Sequence, residues 1–269
     1  MEITDTNLVT LAEYLQKTLS PEVSLRKPAE NFLESVETNQ NYPLLILTLV
    51  ERADVDMTIR IAGAVAFKNY VKRNWPLVED EPDKIHASDR EAIKGLILHL
   101  MLTSPEAIQK QLSDATAIIG KSDFPDKWPS LITDMVAKFG TGDFHIINGV
   151  LHTAHSLFKR YRHEFKSQKL WTEIKFVLDN FAKPFTELFK ATINLVGEHK
   201  DNPTALKVIY NSLVVSCKIF YSLNFQDLPE YFEDNMVVWM PALHNLLVTD
   251  VPCLRTDYLR IHFLNISFC

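Results

Sequence analysis

Apolar residues recur at intervals of three and four along almost the whole chain, the spacing of helices that each bury one stripe. Leu8, Leu11, Leu15 and Leu19 form the first stripe, and Ser20-Pro21-Glu22 interrupts it. Leu25, Ala29, Phe32, Leu33 and Val36 form the second, which Asn39-Gln40-Asn41 breaks. Pro43 opens a third segment to about Arg52, because the first turn of a helix tolerates a missing amide donor. Ile59, Ala62, Val65, Ala66, Tyr70 and Val71 carry a fourth to about Trp75, and a charged loop follows from Pro76 to Pro82. Ser88 or Asp89 is placed to cap the next helix, which runs to about Leu102. Ser104-Pro105-Glu106 reads as cap, first helical residue and acidic first turn of a helix reaching about Ile119, with Gly120 closing it. Trp128 to Phe139 and Phe144 to about His163 form a pair around Gly140-Thr141-Gly142. Leu170 to about Val196 and Leu206 to about Leu223 form another, and a segment from about Glu230 to Leu247 begins one more.

Helix, short turn, helix, in units of about 35–50 residues, is the signature of a helical repeat array. Ala29, Phe32 and Val36 superpose on Ala64, Phe67 and Val71 at a constant offset, with the small residue placed for close approach and the larger ones for the seam. The pattern predicts an all-α fold, an α-α superhelix of the HEAT or armadillo solenoid type, in which each hairpin leaves an apolar face for the next to cover. An irregular all-α globule is the alternative. The loop Asp123-Phe124-Pro125-Asp126-Lys127-Trp128-Pro129 is too aromatic for a linker, so one continuous array is expected.

Composition agrees. Gly (7) and Pro (13) together make 20 of 269 residues, too little turn chemistry for an all-β fold. The net charge of −6 argues against non-specific nucleic-acid binding. Cys217, Cys253 and Cys269 form neither a disulfide framework nor a zinc pattern, which fits a reducing compartment. The start of the chain lacks the basic and apolar regions of a secretory signal, so the Asn265-Ile266-Ser267 triplet is expected to be silent. The longest apolar run, Leu44 to Val50, is seven residues, well short of the ~20 a membrane span needs, and no membrane insertion is expected.

Chemistry-bearing patterns are sparse. The glycines form no phosphate loop and no nucleophile elbow, and no cofactor is expected. His152 and His155 lie three apart on one predicted helix, a spacing that could ligate a metal, but no third ligand accompanies them and packing or surface roles are simpler. Glu79-Asp80-Glu81 reads as a solvated charge run. No catalytic role is assigned to any residue. Two basic stretches carry more information. Lys68, Asn69, Lys72 and Arg73 cluster at the end of the fourth helix, with Lys68 and Lys72 on one face. Cations there either complement the helix C-terminus or form a patch for an acidic partner surface, and spacing leaves both readings open. Lys159-Arg160-Tyr161-Arg162-His163 invites the same two.

Asp123-Phe124-Pro125-Asp126-Lys127-Trp128-Pro129-Ser130-Leu131 resembles the D-F-P-x-x-W-P-x-L turn of the importin-β (karyopherin-β) superfamily. The segment Ala64 to Trp75 resembles the end of that superfamily's N-terminal Ran-binding region, and Arg26 to Leu33 resembles its first B helix. Asn39 to Leu47, His145 to Lys166 and Tyr221 to Trp239, the last beginning Tyr221-Ser222-Leu223-Asn224-Phe225-Gln226-Asp227-Leu228-Pro229-Glu230, look most like its importin-α-exporting branch. The resemblance covers about residues 1–248 and implies a HEAT superhelix, not an enzyme. It implies a nuclear export receptor that carries importin-α to the cytoplasm with Ran-GTP, moves between nucleus and cytoplasm, and admits contact with nuclear pore proteins.

On this resemblance the N-terminal Ran-binding region covers about 25–103, and the inner helices at about 25–36, 58–73 and 106–119 contact Ran, which makes Lys68, Asn69, Lys72, Arg73, Gln111 and Asp114 the candidate contacts. Two departures are expected to matter. Superfamily members are several times longer, and residues 249–269 read as a divergent tail in which Ile261, Phe263, Leu264, Ile266 and Phe268 are apolar, as an alternatively spliced short product would be. Such a product would keep the Ran-binding arm and lose the two-point grip of the full receptor. A HEAT scaffold for peptides or proteins, with no Ran dependence, is the competing reading.

Overall fold

The computed structural model describes residues 1–77 and 82–249, all helices and turns with no strand among them. Two compact units divide at residues 124/125, inside the aromatic loop expected to lie within one continuous array.

The first unit is three helical hairpins: α1 (Asp5–Thr18) with α2 (Val23–Val36), α3 (Tyr42–Glu51) with α4 (Met57–Asn74), and α5 (Ala87–Thr103) with α6 (Glu106–Asp123). Helix α3 lies between α1 and α5, while α4 packs on α6, so the hairpins stack in two layers. Leu11, Leu15, Leu45, Phe67, Ile97 and Leu112 are among the buried residues of the seam. Gly63 lets α4 close on its neighbours, because a Cβ there would stand 3.1 Å from Val50 Cγ2 and 3.6 Å from Leu15 Cδ1. The superposed triplets keep their positions but differ in burial. Ala29 and Ala64 are both buried, whereas Phe67 and Val71 are fully covered and Phe32 and Val36 only half. The reason is neighbours: α4 packs on α1, α3 and α6, and α2 mainly on α1, where Phe32 stacks on Tyr14 at 3.8 Å between ring centres.

Several expected helix ends move. Leu19 lies past the end of α1 and is half exposed. Helix α5 is capped at His86 without a side-chain bond. Asp89 instead turns inward and accepts the Asn41 amide at 2.8 Å, holding the left-handed turn (Asn41 φ 65°) that starts α3. Pro105, not Ser104, is the cap of α6, and the Ser104 hydroxyl donates back to the Leu100 carbonyl at 2.7 Å. Gly120 does not close α6, which runs on to Asp123 because that side chain is held in a buried network described below.

The second unit contains α7 (Ser130–Val136), α8 (Phe144–Phe158) with a 3-10 turn at Lys159–Arg162, α9 (Gln168–Val177), α10 (Lys183–Glu198), α11 (Pro203–Asn224), α12 (Glu230–Asp234) and α13 (Met236–Val248). The helix expected from 170 to 196 runs from α9 into α10 through a π-helical turn at Leu178–Ala182. Pro184 explains the turn, since it cannot donate to the carbonyl four residues back and its ring crowds that carbonyl. Helices α10 to α13 meet on Trp239, which is fully buried, with Phe189 at 4.1 Å and Phe220 at 4.4 Å. Helix α11 is long and apolar enough by length and composition to cross a membrane, although its longest uninterrupted apolar runs are short; two-thirds of its most apolar window is buried inside the unit. The Glu79-Asp80-Glu81 run, Cys253, Cys269, the Asn265 triplet and the tail from 250 onward lie outside the described residues.

Candidate partner-binding face

Helices α4 and α6 lie side by side and leave one face uncovered. On α4 that face runs from small apolar residues, Ala62, Val65 and Ala66, to the polar end at Lys68, Asn69, Lys72 and Arg73. On α6 it carries Lys110, Gln111, Asp114, Ala117 and Lys121. The two helices are bridged on this face by Lys68, whose ammonium donates to Gln111 Oε1 at 2.6 Å. A neutral amide satisfies that donor without cancelling its charge. Arg73 is different: it pairs with Glu37 at 2.6 Å, and Glu37 also accepts from the Asn74 amide at 3.3 Å. Asn69 and Lys72 are exposed and Asp114 is half-buried. The structure thus brings Lys68 and Gln111 into contact, sets Asn69, Lys72 and Asp114 on the same open face, and commits Arg73 to the end of α2.

A second layer fixes this face. The Trp75 indole N–H donates to Asp123 Oδ1 at 3.1 Å, and both residues are buried. Lys94 stands 3.4 Å from the other Asp123 oxygen. Arg90 lies over the Trp75 ring at 4.6 Å and is itself held by both oxygens of Asp83, at 2.6 and 2.8 Å. Asp123 opens one of the two family-like motifs and Trp75 ends the other, so the motifs meet across 48 residues. Sequence reasoning placed each on its own element and missed the bond. Deeper in the unit, burial pushes the Tyr42 and Tyr70 phenols above their ordinary range, and the rings meet edge to face at 5.7 Å.

The other basic stretch divides. Arg160 is drawn inward, pairing with Glu164 at 2.8 Å and with Glu173, and the buried Tyr161 hydroxyl donates to Glu173 at 2.6 Å. Burial, then the Glu173 charge, holds the Tyr161 phenol protonated. Lys159 and His163 remain outside, and Arg162 lies over the Tyr221 ring at 5.5 Å. His155 is half-buried and its Nδ1 has no hydrogen-bond partner, while His152 is exposed. Among the described residues no group of three or more His, Cys, Asp or Glu is arranged to hold a metal.

Comparison with known proteins puts this geometry in context. Residues 29–103 match the Importin-beta N-terminal domain and residues 157–263 match the Cse1 domain, the second match running past the 248/249 boundary expected from the sequence. In structure the chain is similar to the exportin Cse1 in its cargo-free, cytoplasmic state, with a TM-score of 0.86 and 36% identity over 93% of this chain and 27% of that one. A bidirectional nuclear transport receptor of S. cerevisiae, Lph2, shares the fold at a TM-score of 0.66 and 17% identity, over 94% of this chain and 25% of that one. The fold is that of a HEAT-repeat array, and the matched domains are similar to those of karyopherin transport receptors.

Within that class, the chain is similar to Exportin-2. It is 63% identical to the Homo sapiens protein and 65% identical to those of Oreochromis niloticus and Danio rerio, in each case over 96% of this chain and 26% of the relative. The chain therefore spans about a quarter of the length of the curated relatives it matches. Transport receptors of this kind are, in general, not enzymes.

Proposed function

We propose that this chain provides the Ran-GTP-binding arm of a nuclear export receptor for importin-α, at work in both nucleus and cytoplasm. The observation that carries the reading is the α4–α6 face. It lies at and beside the matched importin-β N-terminal domain, is open, and is held rigid from behind by the Trp75–Asp123 network. On this reading Lys68, Asn69 and Lys72 meet acidic groups on Ran, Gln111 orients Lys68, Asp114 takes a donor, and Arg73 contributes by exchanging Glu37 for a Ran carboxylate. The mechanism is linkage: Ran-GTP and cargo each raise the other's affinity, and hydrolysis removes the coupling.

The test is a pull-down with the 269-residue chain against Ran loaded with GTP or GDP, with and without importin-α. GTP-selective capture is expected, and K68A/K72A/R73A weakens it about fivefold to tenfold, from three surface charges at about 0.3–0.5 kcal/mol each. Equal capture of both nucleotide states, or of neither, overturns the reading; nucleotide-independent capture of importin-α would identify a Ran-independent scaffold instead.

A further inference from the structure

The second unit carries a cationic face that the Ran reading does not use. Helices α8 and α11 pack together, and two contacts fix their register: Ser212 donates to Asn148 Oδ1 at 2.6 Å, and the Gln226 side chain donates to the Tyr161 carbonyl at 2.6 Å. The offsets, 64 and 65 residues, are nearly equal, so the helices run in the same direction. That register sets Lys218 of α11 beside His155 of α8. Arg162 donates to the Lys159 carbonyl at 3.2 Å and covers Tyr221, one turn on from Lys218, so Lys159, Arg162 and Lys218 converge. Their combined field acts on His155, where burial and the charges of Lys218, Arg162, Lys159 and His152 hold the imidazole neutral.

No carboxylate balances these charges from within the two helices. Neither 144–163 nor 203–226 contains an Asp or Glu, although 34 of the chain's 269 residues are acidic. Glu164 and Glu173 are engaged by Arg160 and Tyr161, and the exposed Asp227 follows Gln226 just past the end of α11.

We propose that the Lys159–Arg162–Lys218 face is a docking surface for a short acidic segment of a protein partner. The dimensions select the partner class. His152 to Lys159 spans roughly 10 Å along α8 at 1.5 Å per residue, and the neighbouring helix axis lies about 8–10 Å away. Such a patch accommodates the carboxylates of three or four extended residues. A longer polyanion such as RNA would run off it onto the surface of a chain with net charge −6. Phe225, half exposed and edge-on to Tyr221 at 5.4 Å, offers apolar surface beside the cations for a side chain between the acids.

The experiment uses the full chain and a fluorescein-labelled twelve-residue peptide of mixed Asp and Glu, read by anisotropy over a salt series. Binding that weakens as salt rises is expected, as screening of exposed charges requires. K159E/R162E/K218E should weaken binding roughly tenfold or more, while K183E/K200E, which reverses two exposed lysines elsewhere in the same unit, leaves it unchanged. Far-UV circular dichroism confirms that both variants keep their helices, and K159Q/K218Q, with milder changes, should give an intermediate loss. Absent or salt-insensitive binding of the peptide, equal loss in both charge-reversal variants, or tighter binding of a twelve-nucleotide RNA than of the peptide would each overturn the proposal. Because the readout contains no Ran, its failure leaves the Ran reading standing.

Discussion

The bond between Trp75 and Asp123 predicts a coupling energy that can be measured. Asp123→Ala removes a buried carboxylate serving two donors, the indole N–H at 3.1 Å and the Lys94 ammonium at 3.4 Å. A hydrogen bond to a charged acceptor is worth about 1.5–3 kcal/mol, and stranding the indole adds its desolvation. Lys94 has an escape, because the exposed Glu91 lies 2.7 Å from it, so the loss should settle near ~3 kcal/mol and not at the upper end for broken buried pairs. Trp75→Phe keeps most of the ring packing under Arg90 and leaves Asp123 with Lys94, so it should cost about 1–2 kcal/mol. The double variant should cost less than the sum by about 1.5 kcal/mol, the share belonging to the bond itself. Native-state hydrogen exchange at the α4 and α6 amides is the right assay, since a chain of two compact units gives no single two-state transition. Losses that add to within ~0.5 kcal/mol would show that the two residues act independently and would refute the account of how the face is fixed.

Two other outcomes follow from local geometry. His155 should titrate near pH 4 by two-dimensional NMR, down from an ordinary value near 6.5, first because it is buried and then because Lys218, Arg162, Lys159 and His152 repel its proton. With the folded value depressed, the unfolded chain takes the proton first: the stability is fully present above pH ~6.5 and is lost toward pH ~4, by about 2–3 kcal/mol, a slope that His155→Gln should abolish. A titration near 6.5, or the same slope in the variant, contradicts this. Gly63→Val should destabilise the first unit by about 2 kcal/mol, because its Cβ meets Val50 at 3.1 Å, whereas Gly95→Ala, with nothing within 4 Å, should stabilise α5 by about 0.5–1 kcal/mol. Equal shifts of one sign in native-state hydrogen exchange at the α4 and α5 amides would contradict the packing described around α4.

The helices were legible because a stacked hairpin array is built from local regularities. The stripe at Leu8, Leu11 and Leu15 is the buried face of α1, and Ile108, Leu112, Ala115 and Ile119 repeat the arrangement in α6. The errors fall where a side chain had two uses. Asp89 and Ser104 have the chemistry of caps, and each spends it on another group, the Asn41 amide and the Leu100 carbonyl. Local propensity cannot rank a cap against a tertiary partner 48 residues away when both satisfy the same oxygen.

The candidate faces were legible only as lists of residues, and the reason is the spacing between hairpins. Side chains that meet across adjacent helices are separated by 43 residues at Lys68–Gln111, 48 at Trp75–Asp123 and 64 at Asn148–Ser212. The triplets Ala29-Phe32-Val36 and Ala64-Phe67-Val71 suggest a period of 35. No constant period reconciles these numbers, because loops and the π turn before Pro184 lengthen some hairpins and not others. The apolar seam tolerates that variation, since any well-spaced stripe will pack against any other. A polar face does not, because an ammonium must find one particular oxygen. The same chain can therefore announce its architecture in its hydrophobic pattern and still leave unstated, until the register of α4 against α6 and of α8 against α11 is known, that Lys68 and Gln111 form one surface and that Lys159, Arg162 and Lys218 form another.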